Sequence, residues 1–262
     1  MQAFAYHTPS SVADAARAAA ADDAKIVAGG QSLLASMKLG LAAPAALVDL
    51  GALADLRGIR VADGSVTLGA MTTHATVAAS AEVQKAIPAL ADLASRIGDR
   101  QVRNRGTIGG SLANNDPAAC YPAAVLGLGA TVHTDRRSIA ADDFFVGLYE
   151  TALQAGEVIT SVSFPIPAKA AWQKFKQPAS RFSIVGVFVS QGPQGTRVAV
   201  TGAGACVFRA TDIEAALAAD WSAAAASGVS VPADGLNGDL HGSAEYRAAL
   251  IPVLASRAVA AA

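Results

Sequence analysis

Cysteine and histidine are scarce in this chain of 262 residues, which contains two cysteines and four histidines. Two thiols cannot hold an iron–sulfur cluster or a four-thiolate zinc ion, and Cys120 and Cys206 are too distant in sequence to form a C-x-x-C pair. The histidines are isolated, and no H-E-x-x-H or Gly-x-Ser-x-Gly motif is present. We therefore expect no metal site and no catalytic side chains in this chain.

Charged residues are also sparse. They make up only 16% of the chain, and the formal net charge is −1, so no basic excess indicates nucleic acid or an anionic membrane surface as a partner. The N-terminus lacks the basic region and apolar core that are typical of a signal peptide. Alanine-rich tracts are interrupted well before the roughly 18 residues that a membrane-spanning helix requires. These absences favour a soluble, cytoplasmic protein.

Glycine is plentiful by contrast, and it is concentrated in the segment Asn104–Asp116. Gly106, Gly109 and Gly110 lie within five positions there. Such a density of glycine lets another molecule approach the main chain closely, and successive backbone N–H groups in such a turn can bind an anion. The segment alone is equally consistent with a long surface turn, because a Gly-Gly pair is a weak phosphate signal.

Another glycine-rich loop lies about eighty positions earlier, and we call it the first loop and the segment Asn104–Asp116 the second loop. The apolar run Lys25–Ala28 predicts a short buried strand, and it leads directly into Gly29-Gly30-Gln31-Ser32. Apolar residues at helical spacing follow from Leu33, so this loop is predicted to open a helix whose N-terminus presents unpaired N–H groups to an anion. Two loops that meet on the phosphates of one dinucleotide would explain both motifs. Two unrelated turns remain the alternative.

Common nucleotide motifs do not explain these loops. Thr201–Cys206 follows a predicted strand, but Val207 occupies the place of the third glycine of a dinucleotide fingerprint. We interpret that stretch as a closely packed strand end. No G-x-x-x-x-G-K-[ST] sequence is present, so a nucleoside triphosphatase is not predicted.

The remaining pattern predicts a mixture of helices and strands in one large or two medium domains. The proline-bounded connection Pro165–Ala171 is predicted to be the domain boundary. The predicted helices are Ser10–Ala21, a helix that begins at Leu33 and ends near Gly40 to Pro44, one capped by Thr72 or Thr73 and running to Ala79, Glu82–Ile97 with an interruption at Pro88, Ala210–Ala219 and Ala244–Ala261. The predicted strands include Ala46–Leu50, Gly58–Ala62, Ser65–Leu68, Ala130–Thr134, Val158–Phe164, Trp172–Lys176, Ile184–Gln191 and Thr196–Ala203.

Five stretches together resemble one known family. They are Ala28–Leu34 with Met37–Leu39, Thr107–Ala113, Asn115–Pro117, Asp143–Thr151 and Leu240–Arg247. In this order and spacing they resemble the FAD-binding medium subunit of molybdenum hydroxylases, of the xanthine dehydrogenase and carbon monoxide dehydrogenase type. The resemblance extends over essentially the whole chain.

The resemblance implies an α+β fold. Its first part is an FAD-binding domain of the vanillyl-alcohol-oxidase (PCMH) type at 1–167, made of two α/β subdomains at about 1–55 and 56–167. A small C-terminal domain of antiparallel sheet plus helices at 172–262 completes it.

The resemblance also implies an enzyme subunit, namely the flavoprotein of a molybdopterin-dependent oxidoreductase, which carries FAD and passes electrons to an external acceptor. A small iron–sulfur subunit with 2Fe-2S clusters and a large subunit with the molybdenum cofactor are the expected partners, in a heterohexamer with two copies of each. The alternatives are a non-catalytic nucleotide- or anion-binding module of another assembly and a stand-alone flavin oxidase.

The resemblance assigns the binding of FAD mainly to the two glycine loops, which would clasp its pyrophosphate and ribityl chain. Asn115 and Asp116 are expected to contact the ribityl chain or the ring edge, or else only to shape the turn before Pro117. Ile97 is an expected apolar contact of the ring. The expected FAD-binding residues are Ala28, Gly29, Gly30, Gln31, Ser32, Leu33, Ile97, Thr107, Gly109, Gly110, Ser111, Asn115, Asp116 and Phe182.

This chain departs from the family pattern at two places. Family members often carry an acidic residue where Cys120 stands, so a hydrogen bond to the cofactor is lost or replaced. Arg181-Phe182 stands where the family often has Asp-Tyr, with the tyrosine against the isoalloxazine ring. Phe182 retains an aromatic ring for stacking but has no hydroxyl.

Overall fold

Three β-sheets follow one another along the chain, and helices cover their faces. The structure is a computed structural model, and it describes residues 2–262. The first sheet contains β1 (Ala5–His7), β2 (Ala24–Val27) and β3 (Ala46–Asp49), which run parallel in the order β1-β3-β2. Two helices provide the crossovers, α1 (Val12–Ala19) and α2 (Leu33–Lys38).

The second sheet has five strands in the order β4-β5-β10-β6-β7. The strands of this part of the chain are β4 (Ile59–Ala62), β5 (Ser65–Gly69), β6 (Thr131–Thr134), β7 (Ser138–Ala140), the separate hairpin of β8 (Phe145–Gly147) and β9 (Glu150–Thr151), and β10 (Ile159–Pro165). A 3-10 turn at Ala54–Leu56 precedes them. The helices are α3 (His74–Ala79), α4 (Ala81–Ala86), α5 (Pro88–Ser95), α6 (Arg100–Arg105), α7 (Ile108–Asn114), α8 (Tyr121–Gly127) and α9 (Ala141–Phe144).

The third sheet is an antiparallel meander of β11 (Lys169–Lys176), β12 (Ser183–Gly192), β13 (Gly195–Thr201) and β14 (Phe208–Arg209). The helices α10 (Thr211–Ala219) and α12 (Ala244–Val259) pack on one face of it, and α11 (Ala223–Ser227) packs against both helices. Helix α8 packs on the opposite face, so the apolar residues of β12 are buried on both sides. None of the helices in residues 2–262 is long and apolar enough to cross a membrane.

Buried hydrogen bonds attach the third sheet to the chain around α8. Arg197 Nε donates to the carbonyl of Leu126 at 2.8 Å, and Ser190 Oγ donates to that of Gly127 at 2.6 Å. Thr201 Oγ1 lies 2.9 Å from Pro117 O and 2.7 Å from Ala119 O. These bonds satisfy carbonyls at both ends of α8 and hold β12 and β13 next to α8 and the segment that precedes it.

Most predicted elements are present, and the main correction concerns the glycine-rich segment. The sequence favoured a turn or nest at Asn104–Asp116, but this segment contains the end of α6 and all of α7. Thr107 Oγ1 accepts a hydrogen bond from the Gly110 N–H and so begins α7 as its N-cap. Asp99 caps α6 in the same way through the Val102 N–H, at 2.8 Å. Capping and tertiary contacts therefore override the low helix propensity of glycine.

Candidate functional site

A large cleft with a volume of about 930 Å³ is lined by residues from all three parts of the chain. Binding sites for small molecules and cofactors typically occupy about 300–1,000 Å³, so this cleft suits a large ligand. Both glycine-rich loops line it, and so do Ile97 and Phe182. Of the expected FAD-binding residues, only Asn115 does not contribute to its lining.

The two glycine-rich loops lie side by side in this cleft, as the sequence predicts. A Cβ atom on Gly29 would overlap the carbonyl oxygen of Arg105, immediately before the second loop. A Cβ atom on Gly110 would lie 3.4 Å from the Cβ of Ala28. Glycine at position 29 is therefore required for the close approach of the loops to each other.

The first loop presents a row of free backbone donors. The N–H groups of Gly30, Gln31, Ser32 and Leu33 donate to no acceptor within residues 2–262. Ser32 occupies the N-cap position of α2, but its side chain makes no capping hydrogen bond. Gly30 has a φ of +68°, a backbone conformation that favours glycine. Four successive unpaired donors beside a cleft are suited to an anionic ligand such as a pyrophosphate.

The second loop does not present such a row. The N–H groups of Ile108, Gly109 and Gly110 already donate to Thr72 O, Ala70 O and Thr107 Oγ1. The sequence predicts that backbone N–H groups of both loops bind the ligand. For the second loop this prediction is wrong, because these N–H groups already have acceptors within the protein. Thr107 lines the cleft but is buried as the helix cap, so the loop offers the bare Cα of Gly110 and the hydroxyl of Ser111 to a ligand.

Asn115 and Asp116 have different environments. Asn115 is fully buried, and its Nδ2 donates to the carbonyls of Gly147, at 2.9 Å, and Glu150, at 2.7 Å. Its side chain thus holds the β8–β9 hairpin, a role that the sequence did not predict, and its contact with the cofactor stays a prediction. Asp116 lines the cleft and accepts hydrogen bonds from the Ala118 N–H, at 2.8 Å, and the Tyr149 hydroxyl, at 3.4 Å.

A second region of the cleft is formed by Ile97, Gly98 and the β11–β12 loop, and we call it the apolar region. Ile97 is half-buried, whereas the Phe182 side chain is 51% exposed. Arg181 Nη1 donates to the carbonyl of Gly98 at 3.2 Å, which ties the loop of the third sheet to this segment. An exposed aromatic ring and a nearby aliphatic side chain are suited to a planar ligand.

Lys174 and Cys120 also line the cleft, and neither was among the expected ligand contacts. Both are buried, and Lys174 Nζ lies 3.2 Å from Cys120 Sγ and 3.2 Å from the carbonyl oxygen of Arg96. The sequence pattern that could have identified Lys174 is the alternation of side chains between the two faces of a β-strand. Trp172 is apolar and faces the core, so the residue two positions later must share its face of β11.

His74 was not expected in the site either, and it lies beneath the second loop. It is buried beside Tyr121, with the ring centroids 5.2 Å apart. Burial, together with the nearby Arg103 charge, lowers the pKa of His74 to about 4 from 6.5. Its imidazole is therefore neutral at neutral pH and supports the second loop as a packing group.

Comparisons with known proteins agree with this geometry. The model of the family described as FAD binding domain in molybdopterin dehydrogenase matches residues 2–167. The nicotine 6-hydroxylase medium subunit of Paenarthrobacter nicotinovorans is 37% identical over 274 residues, which cover 99% of this chain and 97% of that protein. The carbon monoxide dehydrogenase medium chain of Hydrogenophaga pseudoflava is 35% identical over 283 residues, which cover 99% of this chain and 96% of that one.

Solved structures show the same likeness. Carbon monoxide dehydrogenase from Hydrogenophaga pseudoflava matches with a TM-score of 0.88 and 35% identity, over 100% of this chain and 97% of the matched chain. Quinoline 2-oxidoreductase from Pseudomonas putida 86 matches with a TM-score of 0.89 and 33% identity, with the same coverage. These findings confirm the resemblance and the mixture of helix and sheet expected from the sequence. The chain therefore belongs to the family of FAD-binding domains in molybdopterin dehydrogenases.

Proposed function

We propose that this chain is the FAD-carrying electron-transfer subunit of a molybdenum-containing hydroxylase or dehydrogenase complex. One observation carries the proposal: two glycine-rich loops meet in a cleft of about 930 Å³, and one of them presents four successive unpaired backbone N–H groups. Family membership and the names of the relatives, which are medium subunits of such enzymes, support it.

The residues that line the cleft fit FAD. The N–H groups of Gly30–Leu33 would bind the pyrophosphate, with the hydroxyls of Ser32 and Ser111 as further donors. The bare Cα of Gly110 would allow the ligand to approach the second loop. Ile97 and Phe182 would contact the isoalloxazine ring in the apolar region.

Bound FAD would supply the redox chemistry by taking electrons from iron–sulfur clusters of a small subunit and delivering them to an external acceptor. The chain itself binds the cofactor, orients its ring and excludes water around it. The arrangement of Ile97, Phe182 and Lys174 around one part of the cleft supports that role.

We further propose the division of the chain into an FAD-binding domain of the PCMH type at 1–167 and a C-terminal domain at 172–262. The family match ends at residue 167, which supports the boundary. The first two sheets precede this residue and the third follows it. Subdomains at about 1–55 and 56–167 would correspond to the first and second sheets.

The proposed partners are a small iron–sulfur subunit and a large molybdenum subunit, with two copies of each subunit in the complex. Relatives described as medium chains support a complex of several subunits. Exposed large apolar side chains outside the cleft, such as Leu39, Leu148 and Leu240, are available for contacts with partners.

The test is the cofactor content of the purified chain. We expect a flavin absorbance band, and FAD in the supernatant after denaturation, identified by mass spectrometry. Chain isolated from its native source should also carry iron and molybdenum on co-purifying subunits. A colourless protein that neither contains nor takes up FAD would contradict the proposal and leave a different nucleotide- or anion-binding module as the better account.

A stand-alone flavin oxidase makes a different prediction. It would turn over a substrate with oxygen in the absence of other subunits, and it would need a catalytic base beside the ring. The FAD-loaded chain should instead show no substrate turnover alone and should gain activity only when the other subunits are added.

A further inference from the structure

Lys174 is a buried cation without an anionic partner. Its side chain lies on β11 and its residue is only 9% exposed, yet it forms no ion pair with any carboxylate of residues 2–262. Its two protein contacts are the Arg96 carbonyl and the Cys120 sulfur, each at 3.2 Å. A buried ammonium is costly unless a counter-charge or a full set of hydrogen bonds compensates it, and here two acceptors face three donors.

Two arginines add to the positive charge around the same segment. Arg103 Nη1 donates to the carbonyls of Ile97, at 3.0 Å, and Gly98, at 3.1 Å, and Arg181 also donates to Gly98. Neither arginine forms an ion pair within the described chain. Cationic side chains therefore satisfy the carbonyls of all three residues from Arg96 to Gly98.

Two acidic side chains, one next to Gly98 in the chain and one in the cleft lining, already have hydrogen-bond partners. Asp99 caps α6 through the Val102 N–H, and Asp116 binds the Ala118 N–H and the Tyr149 hydroxyl. Lys174, by contrast, lines the cleft itself. The lining of the cleft next to the apolar region thus contains a buried lysine that no carboxylate pairs.

We propose that Lys174 supplies the charge that raises the reduction potential of the bound flavin, and that the absence of a carboxylate at the position of Cys120 leaves that charge uncompensated. This inference rests on the proposed function. Reduction adds negative charge to the isoalloxazine ring, and a fixed, buried cation stabilises that form more than the oxidised one. Lys174 acts on the flavin through its charge alone, and it forms and breaks no covalent bond.

The test measures the midpoint potential of the FAD-loaded full chain by spectroelectrochemical titration. Lys174→Met removes the charge, whereas Cys120→Asp keeps the ammonium and places a counter-charge beside it. Both variants should reduce the equilibrium constant for two-electron reduction of the flavin by at least tenfold, which corresponds to a potential lower by about 30 mV. The dissociation constant of oxidised FAD, from fluorescence titration, should change much less than that of reduced FAD.

A matched control accompanies these variants. Lys176→Met removes an exposed lysine two positions further along β11. It should change the equilibrium constant by less than threefold. Cys120→Asp keeps the inference testable if Lys174→Met does not fold.

The outcomes separate this inference from the function on which it rests. A wild-type chain that does not bind FAD overturns the proposed function and this inference with it. The wild-type chain could instead bind FAD while Cys120→Asp, or a folded Lys174→Met, changes the equilibrium constant for flavin reduction by less than tenfold. That result overturns only the role of Lys174. A Cys120→Ser variant with a raised potential would also overturn it, because the sulfur would then be the counter-charge.

Discussion

At the scale of single residues, Gly30 and Gly110 differ in what a larger side chain would disturb. Gly30 has a φ of +68°, so any substitution there strains the backbone whether or not a ligand binds. Gly110 lies within α7, and an added Cβ would be 3.0 Å from Thr107 Oγ1 and 3.4 Å from the Ala28 Cβ. A substitution at Gly110 is therefore the cleaner test of ligand approach between the loops.

We expect Gly110→Val to raise the dissociation constant of FAD by about 100-fold or more, which corresponds to about 2.7 kcal/mol. The reason is that the isopropyl group occupies the space between the loops that the ligand needs. Fluorescence titration of the apoprotein with FAD measures the constant. The melting temperature should fall by no more than about 5 °C, since helical backbone accepts valine.

The matched control for this variant is Ala249→Val, which adds the same branched side chain on the exposed surface of α12. It should leave FAD affinity unchanged. Full flavin retention by Gly110→Val would mean that the second loop is only structural and that the ligand does not approach it.

At the scale of elements, the β8–β9 hairpin depends on one side chain of a distant segment. Asn115 ends α7 with a φ of +41°, and its Nδ2 donates to carbonyls on both sides of the hairpin turn. The hairpin carries Tyr149 to the cleft, where its hydroxyl meets Asp116. Asparagine suits this position because it tolerates the left-handed conformation and offers two donors.

Asn115→Ala should lower the free energy of unfolding by about 2–4 kcal/mol, because two carbonyls lose buried donors and alanine strains the left-handed backbone. Urea unfolding measures the change. Oxidised FAD should still bind to the folded fraction within about tenfold of the wild-type affinity, since the side chain does not line the cleft.

Asn115→Gly separates the two causes, because glycine accepts the backbone conformation but provides no donors. It should recover about 1 kcal/mol of the loss. If Asn115→Ala instead keeps wild-type stability but loses most of its FAD affinity, then Asn115 contacts the cofactor, as the family resemblance implies.

At the scale of the whole molecule, two buried groups should make the fold sensitive to acid. Glu157 has a fully buried side chain, and hydrogen bonds from Arg137, Gln154 and Thr134 hold its pKa at about 2, below the ordinary 4.5. Burial holds the pKa of His74 at about 4, below 6.5. In both cases the unfolded chain binds protons more readily than the folded one, so acid favours unfolding.

We expect the free energy of unfolding to decrease in two steps as the pH falls. His74 contributes between pH 6.5 and about 4, and Glu157 contributes between pH 4.5 and about 2. Each step should amount to at most about 3 kcal/mol. Urea unfolding at a series of pH values measures the slopes.

Substitutions assign the two steps. His74→Gln should flatten the slope between pH 6.5 and 4.5, and Glu157→Gln should flatten it below pH 4.5 while lowering stability at neutral pH. Unchanged slopes in these variants would attribute the acid sensitivity to other groups.

The parts of the site that could be predicted are those with local signals. The strand, the Gly29-Gly30 loop and the start of α2 are contiguous, so hydrophobic pattern and glycine placement are enough to indicate them. Helix α7 could not be predicted in this way, because three of its first four N–H groups find acceptors at Ala70, Thr72 and the Thr107 side chain. The pair of Lys174 and Cys120 joins positions 54 residues apart and has no local signal at all.

The sequence by itself predicted that two glycine loops serve one ligand, and its motifs indicated the family to which the chain belongs. The tertiary structure decided which loop presents free donors, that Asn115 supports a hairpin, and that a buried lysine faces the cleft. The reason is physical: glycine spacing and apolar period are properties of the chain, whereas hydrogen-bond saturation and burial depend on which distant segments meet. The glycine spacing therefore indicates that Asn104–Asp116 pairs with the Gly29–Ser32 loop. The folded chain alone determines that the N–H groups of Ile108–Gly110 are already hydrogen-bonded.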